Sequence, residues 1–155
     1  MARYSATVTG DRPAHAVYDY LKDFATIAEW DPGVASAVLV DGEAGEVGAR
    51  YRVDTVFLGR VTSLEYVIVL EVSAPDGGQR VDLRAENADF ISYDVITVRP
   101  LDSGCEVTYD ADLALKGLRR PFDPVLRLLF QIIGRRAERG LAQVVNSPLV
   151  MRRAA

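Results

Sequence analysis

The sequence predicts an α+β fold in which a curved antiparallel sheet wraps one long C-terminal helix. Three observations carry that prediction. Apolar residues recur at Leu126, Leu129, Ile133, Ala137, Leu141 and Val144, in the steps of three and four that mark one face of a helix. Before this stretch the chain reads as short strands with period-two alternation, joined by connections short enough for an antiparallel meander. A helix from Pro124 to Val145 would be roughly 33 Å long, the only element long enough to cover such a sheet. Strands grouped together and closed by a helix on one face belong to the α+β class.

The elements follow in order. Residues 3–9 alternate around Tyr4, Ala6 and Val8 as a half-buried first strand. Gly10-Asp11-Arg12-Pro13 ends it and starts a helix with Ala16, Val17, Tyr20, Leu21 and Phe24 on its apolar face. Ile27, Ala28 and Trp30 extend the pattern into a second short helix, stopped by Asp31-Pro32-Gly33. Val34–Val40 is the next strand, and 41–46 a turn-rich loop. A long strand is expected over Val47–Phe57, alternating at Tyr51, Val53, Thr55 and Phe57. Leu58-Gly59-Arg60 reverses the chain into Val61–Val72, with Leu64, Tyr66, Ile68, Leu70 and Val72 expected on one face. Arg80–Ala85, Phe90–Arg99 and Cys105–Leu115 complete seven strands. Phe122-Asp123-Pro124 is a helix start, Asp123 as cap and Pro124 at the first helical position. No repeat, low-complexity tract or linker interrupts the chain, so residues 1–155 read as a single domain.

Composition excludes several function classes. With 155 residues, 49 % of them hydrophobic, the chain can build one full core and does not read as disordered. A net charge of −4 gives no footprint for nucleic acid. One cysteine, Cys105, excludes an internal disulfide; with a single histidine, His15, it also excludes the common zinc sets. Gly42, Gly45 and Gly48 do not form a phosphate loop leading into a helix. Neither metal nor cofactor is therefore expected. No run approaches the ~20 apolar residues of a membrane span, and Met1–Thr7 has no apolar run of signal-peptide length. The expected location is the cytoplasm, without stable membrane insertion. Arg119, Arg120, Arg127, Arg135, Arg136 and Arg139 make the C-terminal end basic in an acidic protein. A solvated face is the common explanation, and transient contact with an acidic membrane surface the alternative. Nothing specifies an oligomeric state.

No catalytic residue is assigned. His15 lies two residues into the first helix, with no local nucleophile or acid, and reads as an exposed helix histidine. Cys105 reads as a small buried hydrophobe. Polar residues on apolar strand faces are more informative. Thr55 lies between Val53 and Phe57, and Tyr51, Tyr66 and Tyr109 carry hydroxyls on apolar faces. Ser92 and Asp94 alternate with Phe90, Ile96 and Val98. In an apolar cavity a few such groups orient a ligand. Asp94, if buried, could have a raised pKa and act as an acid; the commoner alternatives are pairing with an arginine such as Arg84 or Arg99, or facing solvent. Trp30 reads as either core plug or pocket wall. Gly134 and Gly140 each lower helix propensity by roughly 1 kcal/mol; they leave room beneath the helix, permit a bend, or allow close packing.

Several of these residues, taken together, resemble START-like (SRPBCC) proteins, and within them the polyketide cyclase/dehydrase and lipid-transport group. The resemblance is carried by Pro13 with Val17 and Tyr20-Leu21, then Asp23-Phe24 and Trp30-Asp31-Pro32-Gly33-Val34. It continues in Val47-Gly48-Ala49-Arg50-Tyr51, in Gly104-Cys105-Glu106-Val107-Thr108-Tyr109 and in Leu115-Lys116-Gly117. The ordered set covers nearly the whole chain. It implies the helix-grip fold, a seven-stranded curved antiparallel sheet holding the C-terminal helix over an apolar cavity, with two short helices between strands 1 and 2.

Members of that superfamily include ligand binders, lipid carriers, aromatase/cyclases, hydrolase-related proteins and co-chaperones, so the fold alone does not fix an activity. The shortage of catalytic groups favours binding or transport of a small hydrophobic ligand, lipid-like or polyketide-like. The alternative is a polyketide aromatase/cyclase-type enzyme, with Tyr51, Tyr66, Tyr109 and Asp94 moving protons. A third reading, an interaction module, requires a fully packed interior. The strands are expected to present Tyr51, Thr55, Phe57, Tyr66, Leu83, Phe90, Ser92 and Tyr109 to the ligand, with Trp30 at one end. The final helix and its approach are expected to add Phe122, Leu126, Leu129 and Ile133. Gly117–Asp123 is the expected hinge or entrance.

Overall fold

Period-two alternation becomes seven strands: β1 (Ala2–Gly10), β2 (Val34–Asp41), β3 (Arg50–Phe57), β4 (Arg60–Ser73), β5 (Gln79–Glu86), β6 (Phe90–Pro100) and β7 (Cys105–Leu115). Two helices, α1 (Ala14–Lys22) and α2 (Ile27–Trp30), follow β1, with a 3-10 turn at Phe24–Thr26 between them; α3 (Asp123–Val145) closes the chain. The computed structural model describes residues 1–57, 59–117 and 123–148, with the side chains of Phe57, Asp123 and Leu126 outside that description. The expected hinge at Gly117–Asp123 and the expected cap Asp123 therefore fall largely outside the described residues. No helix among the described residues is long and apolar enough to cross a membrane.

The strands form one sheet in the order β1-β7-β6-β5-β4-β3-β2, every neighbouring pair antiparallel. Strands 2 to 7 are a continuous meander, and β1 joins it beside β7, in register from Ala2 opposite Leu113 to Gly10 opposite Cys105. Curvature places the inward faces of β3 to β7 around one apolar interior. This is the helix-grip architecture, α+β, with seven strands and two short helices before β2.

Two local features differ from the simple alternation. The strand expected from Val47 begins at Arg50: Gly45 and Gly48 have φ of 79° and 94°, and Val47 is exposed, so the segment before Arg50 is turn. In β4 the register shifts between Ile68 and Leu70. A bulge adds one residue and exchanges the two faces beyond it. Leu64, Tyr66 and Ile68 are buried as expected, whereas Leu70 and Val72 face outward. Glu71 takes the inward position instead and accepts the Tyr18 hydroxyl at 3.1 Å from α1.

The core joins α1, α2 and the sheet around Phe24, which stacks edge-on against Tyr51 and tilted against Tyr66, at centroid separations of 6.2 and 5.0 Å. Fully buried side chains of this size are each worth about 1.5–3 kcal/mol. Cys105 is buried within the same core and His15 is exposed. The α3 helix packs along β1 on one side and α2 on the other, burying Ala137, Leu141, Val144 and Val145. Its glycines allow that approach. A Cβ at Gly134 would lie 2.1 Å from the Tyr4 ring, and one at Gly140 would lie 1.8 Å from the Trp30 carbonyl oxygen. Close packing, rather than a bend, is the structural use of both.

Candidate functional site

A cavity of about 130 Å³ lies between the sheet, the α2 end and the middle of α3. Its apolar walls come from Ile27, Val34, Val53, Leu64, Ala111 and Leu113, with Phe130 and Ile133 projecting from α3. Each strand residue in this set is there because alternation turns it inward. Ser92 and Asp94 occupy the same inward phase of β6 as Ile96 and Val98, so the sheet geometry itself buries a serine and a carboxylate.

Those polar groups form one connected set. Tyr66 of β4, Ala85 of β5 and Ser92 of β6 stand in one register row. Ala85 is small enough to let the Tyr66 hydroxyl reach across β5 and donate to Ser92 Oγ at 3.0 Å. Ser92 Oγ donates to Asp94 Oδ1 at 2.8 Å. From β7, the Tyr109 hydroxyl donates to Asp94 Oδ2 at 2.6 Å. Trp30 packs edge-on against the Tyr109 ring with centroids 5.3 Å apart, holding it in place. Asp31, just past α2, lines the same cavity and accepts the Gly33 amide hydrogen on Oδ1 at 2.8 Å.

The electrostatics follow from burial of these side chains. Burial raises the Asp94 carboxyl to about 6, against the two hydrogen bonds from Tyr109 and Ser92, and the nearby Asp31 charge pushes in the same direction as burial. Burial also raises Asp31, with the Gly33 amide opposing it. The Tyr66 and Tyr109 hydroxyls are held well above their ordinary value, first by burial and then by the Asp94 charge. A carboxyl that titrates near neutrality inside an apolar cavity has the properties of a general acid or base.

Of the residues expected to meet a ligand, the structure brings Thr55, Tyr66, Phe90, Ser92, Tyr109 and Ile133 together around this cavity. Four others lie elsewhere. Tyr51 is sealed in the core, where its hydroxyl accepts the Gly45 amide hydrogen at 2.7 Å and ties down the β2–β3 connection. Leu83 is fully buried in β5 and does not line the space. Trp30 borders a separate outer groove with Arg136, Arg139 and Gly140. Leu129 is half-buried on α3 outside the lining; the contacts of α3 with β1 and α2 turn Phe130 toward the cavity instead. The Phe57 and Leu126 side chains, and Phe122 altogether, lie outside the described residues.

Most of the apolar lining, Ile27, Val34, Val53, Leu64, Ala111 and Leu113 among it, was not singled out from the sequence, and three further lining residues were read differently. Asp31 read as a helix stop, Thr62 as an ordinary strand residue, and Phe130 fell beside the apolar stripe. The available signal for Phe130 was a second stripe, Phe130-Ile133-Ala137, at spacings of three and four. The proposed arginine pairing of Asp94 is not present: Arg84 pairs with Glu86, and Asp94 is satisfied by hydroxyls.

Solved structures share the fold at low sequence identity. A STAR-related lipid transfer protein from Xanthomonas axonopodis superposes with a TM-score of 0.74 at 15 % identity, over 92 % of this chain and 85 % of that one. A START superfamily protein from Mycobacterium smegmatis gives 0.74 at 14 % identity, over 94 % and 97 %. The Zhui aromatase/cyclase from a Streptomyces species gives 0.70 at 14 % identity, over 99 % and 95 %. No curated protein matches in sequence. The sequence profile of one family matches residues 1–146, nearly the whole chain. The chain belongs to the polyketide cyclase/dehydrase and lipid transport family.

Proposed function

We propose that this protein binds a small, largely apolar molecule in the cavity between the sheet and α3. One observation carries the reading: a largely apolar cavity beneath α3 that holds the connected polar set Tyr66–Ser92–Asp94–Tyr109 in its wall. Apolar lining supplies affinity at ~25 cal/mol per Å² buried, before the costs of association. A few fixed polar groups then set orientation. A volume of about 130 Å³ is near the ~150 Å³ of a cavity that accepts benzene, which favours a ring-sized group or short chain. The lipid-like or polyketide-like ligand expected from sequence narrows to the part of such a molecule that fits there. Toluene titrated into the isotopically labelled protein is expected to shift amide resonances of Val53, Leu64, Ala111 and Ile133. The Ala111→Leu variant, which places three carbon atoms in the space, is expected to abolish those shifts while staying folded. Equal shifts in both proteins would refute the assignment.

A second reading, aromatase/cyclase-type chemistry in the same cavity, is favoured by Asp94 alone. Its carboxyl titrates at about 6 beside two tyrosine hydroxyls. Holding a reactive chain in one fold would supply orientation, and Asp94 would move the proton. Cyclisation of a polyketide chain should then fall at least a hundredfold in Asp94→Asn. Turnover unchanged by that substitution, or absent in the wild-type protein, leaves binding as the function.

A further inference from the structure

We propose that the cavity selects apolar molecules whose polar end donates a hydrogen bond, such as an alcohol, a phenol or a protonated amine, over those whose polar end only accepts. The inference rests on the binding reading above and names the chemical class of that ligand.

The warrant is the direction of the hydrogen bonds in the polar wall. Tyr66 gives its hydroxyl hydrogen to Ser92, Ser92 gives its own to Asp94 Oδ1, and Tyr109 gives its own to Asp94 Oδ2. Each hydroxyl carries one hydrogen, so all three are committed within the wall. What these groups still offer the cavity is lone pairs. An ionised carboxylate has about four acceptor positions, and Asp94 uses two of them on protein donors. Asp31 adds a second carboxylate, with one oxygen on the Gly33 amide. The Thr55 hydroxyl is directed to the Thr62 carbonyl oxygen.

No Lys, Arg, His, Asn or Gln is among the described residues lining the cavity. The Thr62 hydroxyl is the one lining side-chain donor without a partner among the described residues, and it lies four residues along β4 from Tyr66, roughly 13 Å away. Among the described lining residues, the polar end thus presents acceptors facing inward and no uncommitted side-chain donor. A ligand carboxylate or ketone there would set lone pairs against the lone pairs of buried Asp94 and Ser92. An alcohol or ammonium group would complete the carboxylate's hydrogen bonding, the arrangement that buried charged groups require.

The test uses five ring-sized probes, toluene, benzyl alcohol, benzylamine, acetophenone and benzoate, titrated into the labelled protein at pH 8 and followed by NMR. Benzyl alcohol and benzylamine are expected to bind at least tenfold more tightly than acetophenone and benzoate, with shifts at Ser92, Asp94 and Tyr109. Asp94→Asn, which puts an amide donor in the wall, is expected to reduce that preference below threefold. Tyr109→Phe, which frees Asp94 Oδ2, is expected to preserve or widen it. Acetophenone or benzoate binding as tightly as benzyl alcohol, or an unchanged preference in Asp94→Asn, overturns this inference and leaves cavity binding standing. Failure of all five probes, toluene included, overturns the binding reading and this one together.

Discussion

Tyr109 reaches Asp94 diagonally across the β6–β7 pair, past Ala111, the residue directly opposite the carboxylate. The diagonal is open because alanine leaves the row beside Asp94 unfilled. A tyrosine hydroxyl therefore meets a buried carboxylate at 2.6 Å inside an apolar cavity.

Removing that donor should cost stability in a pH-dependent way. In Tyr109→Phe the carboxylate loses one of its two hydroxyl partners, so its pKa rises further above about 6. Unfolding by urea at pH 8 should show a loss of about 1–3 kcal/mol. The loss should shrink toward pH 4, where Asp94 is protonated with or without Tyr109. An equal loss at both pH values would show that the ring, rather than its hydroxyl, is what matters.

Asp94 itself makes the fold less stable as pH rises. Its carboxyl is displaced upward from 3.8 to about 6, so the folded state binds the proton more tightly than the unfolded chain. The stabilisation from protonation is complete below 3.8 and is lost as pH rises through about 6. The displacement corresponds to about 3 kcal/mol. Asp94→Asn lacks this titration, so wild-type stability relative to the variant should fall by about that amount between pH 3.5 and pH 7. Parallel stability profiles for the two proteins would contradict the assignment.

The glycines of α3 should resist substitution in order of what they touch. Gly134→Ala presses a methyl into the Tyr4 ring, a side chain that can shift, at about 1–3 kcal/mol less the roughly 1 kcal/mol gained in helix propensity. Gly140→Ala meets the Trp30 carbonyl, which is main chain, and should cost about 3 kcal/mol or more. Thermal unfolding of the two variants gives the order, and a more stable Gly140→Ala would invert the argument.

Ala85 tests the polar wall without touching any polar atom. Ala85→Val inserts branching beneath the Tyr66–Ser92 hydrogen bond and should separate that pair. Tyr51→Phe is the control: it strands the Gly45 amide and should cost about 1–3 kcal/mol with no change in ligand affinity. A Tyr51→Phe variant that binds toluene less tightly would return Tyr51 to the site.

The sheet and the final helix were legible because alternation and three–four spacing are properties of the backbone, visible wherever one face is buried. Cys105–Leu115 agrees at both ends, and α3 differs from its expected span by one residue. What escaped prediction has a physical cause in each case. The bulge after Ile68 is a local pairing event without a residue signature, so Leu70 and Val72 appeared to face inward. Leu83 and Tyr51 have the right phase to face the interior, but phase does not distinguish a packed interior from a hollow one. Asp94 was visible as a polar residue in an apolar phase. Ser92, two residues away on the same face, was visible with it; that Tyr66 and Tyr109 join the pair was not, because they come from β4 and β7. Phe130 displaced Leu129 because α3 is rotated by what it packs against.

The contacts at Gly134 and Gly140 act as a gauge. They fix the distance from α3 to β1 and α2 at main-chain and ring contact, outside the cavity altogether. The span of the hollow is therefore set by positions that never meet its contents. Exchanges among Val53, Leu64, Ala111, Phe130 and Ile133 alter how much of the space is filled without moving its walls. A scaffold gauged in this way can be retuned from one guest to another by a single side chain, while its frame stays the same.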